Sequence, residues 1–433
     1  MPSESKLPKL PTTKELLGHP RVKNVIERLS QSTVASRAAD FYDDLRNTVS
    51  EKTNNFELPS LPHLAEQFAQ RLLGDPKHSR SVINATGIVC GGEFANPLPE
   101  QAVHAMLSTA GEFRPTGPAI QDRVARQLKR LTGAESSLIL SGYESALHLA
   151  VAALASGGEL YVIESETSRS TDWQRIAASG AAALRNELPS ESTARGGLLI
   201  RHSPLNEATA GLPAIAELAD RYADLPLLEV SPVAGITDPE SVGLSTIPHA
   251  ATRIKTGADL VLIRGDGLIG GPTCGIFLGK QSLIDKLRAH SLATAVAANE
   301  LVGLALSATL QLYESPDQIV FTVPAWSLLS TPLANLQQRA ERLAQLIHDS
   351  PRIMEATACE IESAWVVEGK SQQLAAASWG VSVNLEQGVA SSEVERLQRQ
   401  TPQVAVKVTE ADLFLDLRSV FPRWDQALVS AFA

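Results

Sequence analysis

The chain has 433 residues, 44% of them hydrophobic and 20% charged, with a net charge of -10. That length allows one large core with smaller domains beside it, and the balance is that of a globular chain. No run of about 18 apolar residues occurs, so no membrane span is expected, and the excess of acid argues against a general DNA-binding role.

The opening MPSESKLPKLP has no apolar core and does not read as a secretory signal. Cys90, Cys274 and Cys359 lie far apart, without disulfide or zinc spacing, which suits a reducing cytoplasm. No metal site is expected. Residues 1–80 form a helical N-terminal region. Val22, Val25, Ile26 and Leu29 predict a helix within Pro20–Leu45, and a second spans Leu61–Leu73, with a polar loop around Thr53, Asn54 and Asn55. This stretch carries about 12 basic and 10 acidic side chains, roughly +2, leaving roughly -12 for the remainder. It reads either as a helical cap or as a module that binds RNA or a partner.

From residue 81 the texture changes. Strands are predicted at Ser137–Leu140, Leu160–Ile163, Gly197–Arg201, Leu225–Val230, Leu260–Arg264 and Gly275–Leu278. Helices are predicted at Asp122–Leu131, Tyr143–Ala155, Thr171–Ala178, Leu212–Tyr222 and Gln281–Ala289. Apolar strands alternating with helices predict an α/β domain over residues 81–315, built on a mostly parallel sheet. A long helix over Ala293–Tyr313 closes it, with a break at Pro316. Residues 316–433 read as a smaller C-terminal α+β domain, with a helix over Pro332–His348, strands at Val404–Val408 and Leu413–Leu417, and a helix after Pro422.

Three constellations carry chemical possibilities. Ser141, Gly142 and Tyr143 join a strand to an alanine-rich helix. Ser141 and Glu144 have capping-box spacing, and the free N–H groups of such a helix start attract phosphate. Arg264, Gly265, Asp266, Gly267 and the pair Gly270 and Gly271 form a glycine-rich turn after a buried strand. Such a turn either lets backbone approach a ligand or only makes a tight connection. Arg418 ends a strand and either holds a carboxylate in a bidentate pair or pairs with Asp416. His202 follows a strand without an evident Ser or Asp partner, so no triad is inferred.

Six collinear segments resemble the selenocysteine synthase family, L-seryl-tRNA(Sec) selenium transferase. They are Leu10–Leu17, Val82–Val89 (Val-Ile-Asn-Ala-Thr-Gly-Ile-Val), Leu131–Glu135, Gly257–Val261, Gly270–Pro272 and Leu415–Val420 (Leu-Asp-Leu-Arg-Ser-Val). The resemblance implies a fold-type I pyridoxal-phosphate transferase-like architecture, a dimer-based homo-oligomer, and tRNA contact through residues 1–80. It brings pyridoxal phosphate by family likeness only. The family's Ser-Gly-Asp-Lys-Leu-Leu-Gly-Gly-Pro carries the Schiff-base lysine, and here that place is Gly267. The family's aspartate beneath the pyridine nitrogen falls at Val230. The segment after the Asn-Ala-Thr-Gly run is Gly91–Asn96 and lacks the family's arginine. Ala293–Ala297 stands where the family has a basic run. These departures predict a catalytically degenerate or repurposed relative with no covalent Schiff base. The alternatives are an active transferase or lyase with an altered site, and a tRNA- or partner-binding module.

Overall fold

The computed structural model describes residues 11–26, 31–51, 61–73, 81–111, 113, 118–165, 171–188, 197–203, 205, 211–238, 248–368, 372–385, 390–400, 402–408 and 412–432. The chain divides into two compact units: Met1–Val82 with Thr401–Gln403, and Ile83–Gln400 with Val404–Ala433. Among the described residues no helix is long and apolar enough to cross a membrane.

The first unit is helical. Thr12 caps Thr13–Gly18 in a reciprocal capping box with Glu15. Pro20–Ile26 and Gln31–Glu51 are helices, and Pro20–Leu45 is the stretch whose spacing reads as helical. The fourth helix is Leu61–Leu73, as its pattern predicted. The polar loop around Thr53 lies outside the described residues. Leu16, Val22, Phe41, Leu64, Phe68 and Leu72 form the core. A half-open groove of about 990 Å³ in this unit is mostly apolar, lined by Leu17, Ile26, Val34 and Tyr42 among others.

The second unit holds two sheets. The larger has seven strands: β2 (Ser136–Leu140), β3 (Glu159–Ile163), β4 (Ala183–Arg185), β5 (Gly197–His202), β6 (Leu227–Val230), β7 (Leu260–Arg264) and β8 (Gly275–Gly279). Their order is β2-β8-β7-β6-β5-β3-β4. Strands β4, β3, β5, β6 and β7 pair in parallel, and β8 runs antiparallel between β7 and β2. Alternate residues enter two cores. Leu198, Ile200, Leu260 and Leu262 face the helix Tyr143–Leu154, whereas Leu199, Val261 and Ile263 pack with Leu128, Leu306 and Leu310. Burial on both faces is why these strands read as unbroken apolar runs.

The helix expected over Ala293–Tyr313 is two helices, Ser291–Ala295 and Glu300–Leu312. The segment between them is drawn to the end of β2. Ser141 donates its N–H to the Val296 carbonyl, and Ala297 bridges Leu140. The Asn299 side chain then caps the second helix.

The smaller sheet has the order β1-β11-β12-β10-β9, with β1 (Val82–Ala85), β9 (Glu355–Glu368), β10 (Gln372–Asn384), β11 (Gln403–Val408) and β12 (Asp412–Asp416). Leu417, expected to end the last strand, instead begins a 3₁₀ turn, because the Asp416 side chain accepts the Arg418 N–H. The two family-like segments Val82–Val89 and Leu415–Val420 meet here. Gly87 (φ 82°) donates to Ser419 Oγ at 2.8 Å, and Ser419 Oγ donates to the Asn84 carbonyl at 2.7 Å. Ser378 Oγ donates to the buried Asp416 at 2.9 Å. These matched motifs therefore close a buried polar joint within the sheet.

Candidate functional site

At the carboxyl edge of the large sheet the chain connections diverge. From β3 the chain moves outward to β4, whereas from β5 it moves inward through β6 and β7. Open α/β sheets bind ligands at such a point. Glu164 follows β3 there, His202 ends β5, Val230 ends β6, Arg264 ends β7, and Ser141 follows β2.

Ser141, Gly142 and Tyr143 do begin the helix, but the expected capping box is absent. Gly142 is the N-cap and has no side chain, so Glu144 is the second helical residue rather than the third. Ser141 Oγ instead lies 3.5 Å from Ser145 Oγ. Glu144 therefore does not fold back as a cap, and its charge remains at the helix start.

The glycine-rich turn lies beside that helix start. Gly275 pairs with both Leu140 and Arg264 in register, and Arg264 is within electrostatic reach of Tyr143 and Glu144. Arg264 grips Asp266 with two parallel bonds, Nε to Oδ1 and Nη2 to Oδ2, each 3.0 Å. That hydrogen bonding raises the arginine's already high pKa. Thr273 Oγ1 also donates to Asp266 Oδ2 at 3.0 Å, and Asn96 Nδ2 donates to the Asp266 carbonyl at 2.9 Å. Gly265 and Gly271 pack the turn against itself. A Cβ on Gly265 would lie 2.4 Å from Cys274 Sγ, and one on Gly271 would lie 3.2 Å from the Gly265 carbonyl. Behind the turn, Tyr313 Oη lies 3.1 and 2.9 Å from the carbonyls of Leu268 and Ile269 and accepts from Trp326 Nε1 at 3.0 Å.

Gly267 sits where the lysine of the resembled motif would stand. A Cβ there would lie 3.0 Å from the Pro232 carbonyl oxygen and 3.4 Å from both the Arg264 carbonyl oxygen and Val233 Cα. Val230 is fully buried, packed among the apolar residues of one sheet face. Lys280 Nζ pairs with Asp259, just before β7 begins, and Lys255 ends the helix that precedes β7. Both lie at the opposite edge of the sheet from Arg264.

His202 has a partner the sequence did not reveal. Glu164 Oε2 accepts from Trp173 Nε1 at 2.8 Å and lies 3.6 Å from His202 Nδ1. The Trp173 and His202 rings meet edge to face, 5.9 Å between centroids. A carboxylate directly after an apolar strand was the available signal for Glu164. Nearby, Arg201 Nη1 holds Glu229 at 2.9 and 3.1 Å, both side chains buried. Burial pushes the Glu229 carboxyl up, opposed by Arg201 and Arg253.

The Arg418 guanidinium donates to the main-chain carbonyls of Leu329 (2.9 Å) and Ala377 (2.6 Å), and among the described residues no side-chain carboxylate bonds to it. The thiols of Cys90 and Cys274 are each pushed up to about 12 by burial, so neither is a thiolate at neutral pH. Among the described residues no three His, Cys, Asp or Glu side chains converge as metal ligands.

The sequence profile of L-seryl-tRNA selenium transferase matches residues 207–421. The L-seryl-tRNA(Sec) selenium transferase of Moorella thermoacetica is 28% identical, over all of this chain and 97% of that protein. That of Carboxydothermus hydrogenoformans is 24% identical, over 97% of this chain and 96% of its own. A solved D-glucosaminate-6-phosphate ammonia-lyase superposes with a TM-score of 0.57 at 18% identity, covering 82% of this chain and 95% of that one, a likeness of fold alone. The fold is the fold-type I architecture of pyridoxal-phosphate transferases, and along its whole length the chain is similar to the L-seryl-tRNA selenium transferase family, the selenocysteine synthases.

Proposed function

We propose that this chain keeps the scaffold of the selenium transferases without their Schiff-base chemistry, and that it serves as a ligand- or partner-binding relative. The observation that carries this is Gly267. The position offers no amine, and main-chain atoms of Pro232, Val233 and Arg264 crowd the place where a side chain would begin. Val230 adds to it. A fold-type I cofactor is an electron sink while an acid keeps its ring nitrogen protonated, and valine supplies no acid. The residues present therefore do not fit a covalently held pyridoxal phosphate. Neither lysine near β7 substitutes: the strand rises about 3.3 Å per residue, leaving Lys280 and its partner Asp259 roughly 16 Å from the turn.

The binding surface in this reading is the Arg264–Gly271 turn together with the helix start at Ser141, Gly142 and Tyr143. His202 and Glu164 line the same sheet edge. The names of the relatives and the roughly +2 balance of residues 1–80 support tRNA contact through that region. A dimer-based homo-oligomer in the cytoplasm completes the proposal.

The deciding experiment is incubation with pyridoxal phosphate, borohydride reduction and peptide mass spectrometry. The expected result is no stoichiometric adduct on any single lysine. One full-occupancy adduct at a unique lysine overturns the reading and favours an active transferase or lyase with a relocated amine.

A further inference from the structure

We propose that Asp266 is a built-in ligand for Arg264, its carboxylate filling the place of an incoming oxyanion and closing the crevice to phosphate-bearing molecules.

A carboxylate held by Nε and Nη2 uses the same two-pronged edge of guanidinium that grips two oxygens of a phosphate. Asp266 is fixed independently of the arginine it engages. Thr273, on the returning limb of the turn, donates to Oδ2, and Asn96 donates to the Asp266 carbonyl. The arginine side chain is 38% exposed and the aspartate 11%, so the arginine's remaining surface faces outward while its best edge is taken. Solvent at the arginine screens the pair and lowers its contribution to stability. Holding the turn together is thus a weak explanation for it, because the glycine contacts and Tyr313 already do so. Charge acts in the same direction. Asp266 and Glu144 both repel an anion approaching this helix start and oppose the attraction of Arg264.

The inference rests on the turn being free of a lysine-linked cofactor. Phosphate titration reads Arg264 and borohydride reads lysines, so the two can fail separately. The test is calorimetric titration of the full chain with inorganic phosphate at low ionic strength. The wild type, Asp266→Asn, the double variant Asp266→Asn with Arg264→Gln, and Thr273→Val are compared. Asp266→Asn is expected to bind phosphate about tenfold more tightly than the wild type, and the double variant to lose that gain. Thr273→Val, which touches only an exposed hydroxyl, is expected to give a smaller gain in the same direction. A folded Asp266→Asn that binds no better overturns the proposal. So does a gain that survives Arg264→Gln. If Asp266→Asn does not fold, an unchanged Thr273→Val overturns it equally.

Discussion

Gly87 and Gly133 both adopt positive φ, 82° and 74°, yet their surroundings differ. A Cβ on Gly133 meets nothing within 4 Å, so Gly133→Ala costs only the left-handed backbone, about 1 kcal/mol. At Gly87 the added atom would lie 2.0 Å from Asp416 Oδ2 and 2.4 Å from Ser363 Oγ, inside the buried joint. Gly87→Ala is expected to destabilise by about 3 kcal/mol or more, and paired denaturant melts of the two variants will separate backbone strain from steric conflict. The Arg201–Glu229 pair makes a pH-dependent prediction. Burial raises the Glu229 carboxyl, so the folded state holds its proton more tightly than the unfolded chain. Stability then falls as pH rises above the ordinary glutamate range, because the native state binds more protons there. Arg201→Gln removes the opposing charge and enlarges that shift. Its loss of stability should reach about 3 kcal/mol near neutral pH and shrink toward pH 4, as read from melts across pH. A loss that is constant with pH would show that Glu229 does not titrate between the states.

At the level of elements, legibility followed the directness of burial. The strands of the large sheet were readable because both faces are packed, leaving continuous apolar runs such as Leu260–Ile263. The helix Glu100–Ala110 was missed because Val103 and Leu107 point outward and only Ala102 is buried. The hairpin of β9 and β10 was missed because its alternation is of alanine, serine and glutamate rather than of large apolar residues. The break before Glu300 is invisible locally, since Val296–Ala298 continue a helical pattern and only their bonds to β2 interrupt it. The turn Arg264–Gly271 was readable as a tight structure, but its aromatic support was not. Tyr313→Phe removes the hydroxyl that Trp326 donates to and frees the carbonyls of Leu268 and Ile269. It should cost about 1–3 kcal/mol. Faster amide exchange within residues 265–271 would locate the effect, whereas unchanged exchange there would remove Tyr313 as the support of the turn.

For the whole molecule, the proposed reading keeps the scaffold and gives up the chemistry. The alignment with the relatives spans the whole chain at 28% identity, and the motifs that carried the likeness in the sequence sit where the structure needs them for packing: Asn84–Gly87 against Asp416–Ser419, and the glycines of the 264–271 turn against Cys274 and Pro272. Gly267 and Val230, on which the proposed loss of chemistry rests, lie at the carboxyl edge of the large sheet. Charge is divided along the chain as well. If residues 1–80 contact tRNA, a mobility shift of the full chain should weaken steeply with added salt. Absence of a shift at low salt would confine the protein's partners to other classes.

The joint between Gly87 and Ser419 spans 332 positions of sequence. A ribosome delivers Asn84 long before Asp416 emerges, so the amino-proximal half of that joint waits through most of translation with its hydrogen-bonding groups unmet. The smaller sheet cannot close until the carboxyl-terminal residues leave the exit tunnel. A nascent chain arrested before Asp412 should therefore expose β1 to proteases and chaperones even after the larger sheet has formed.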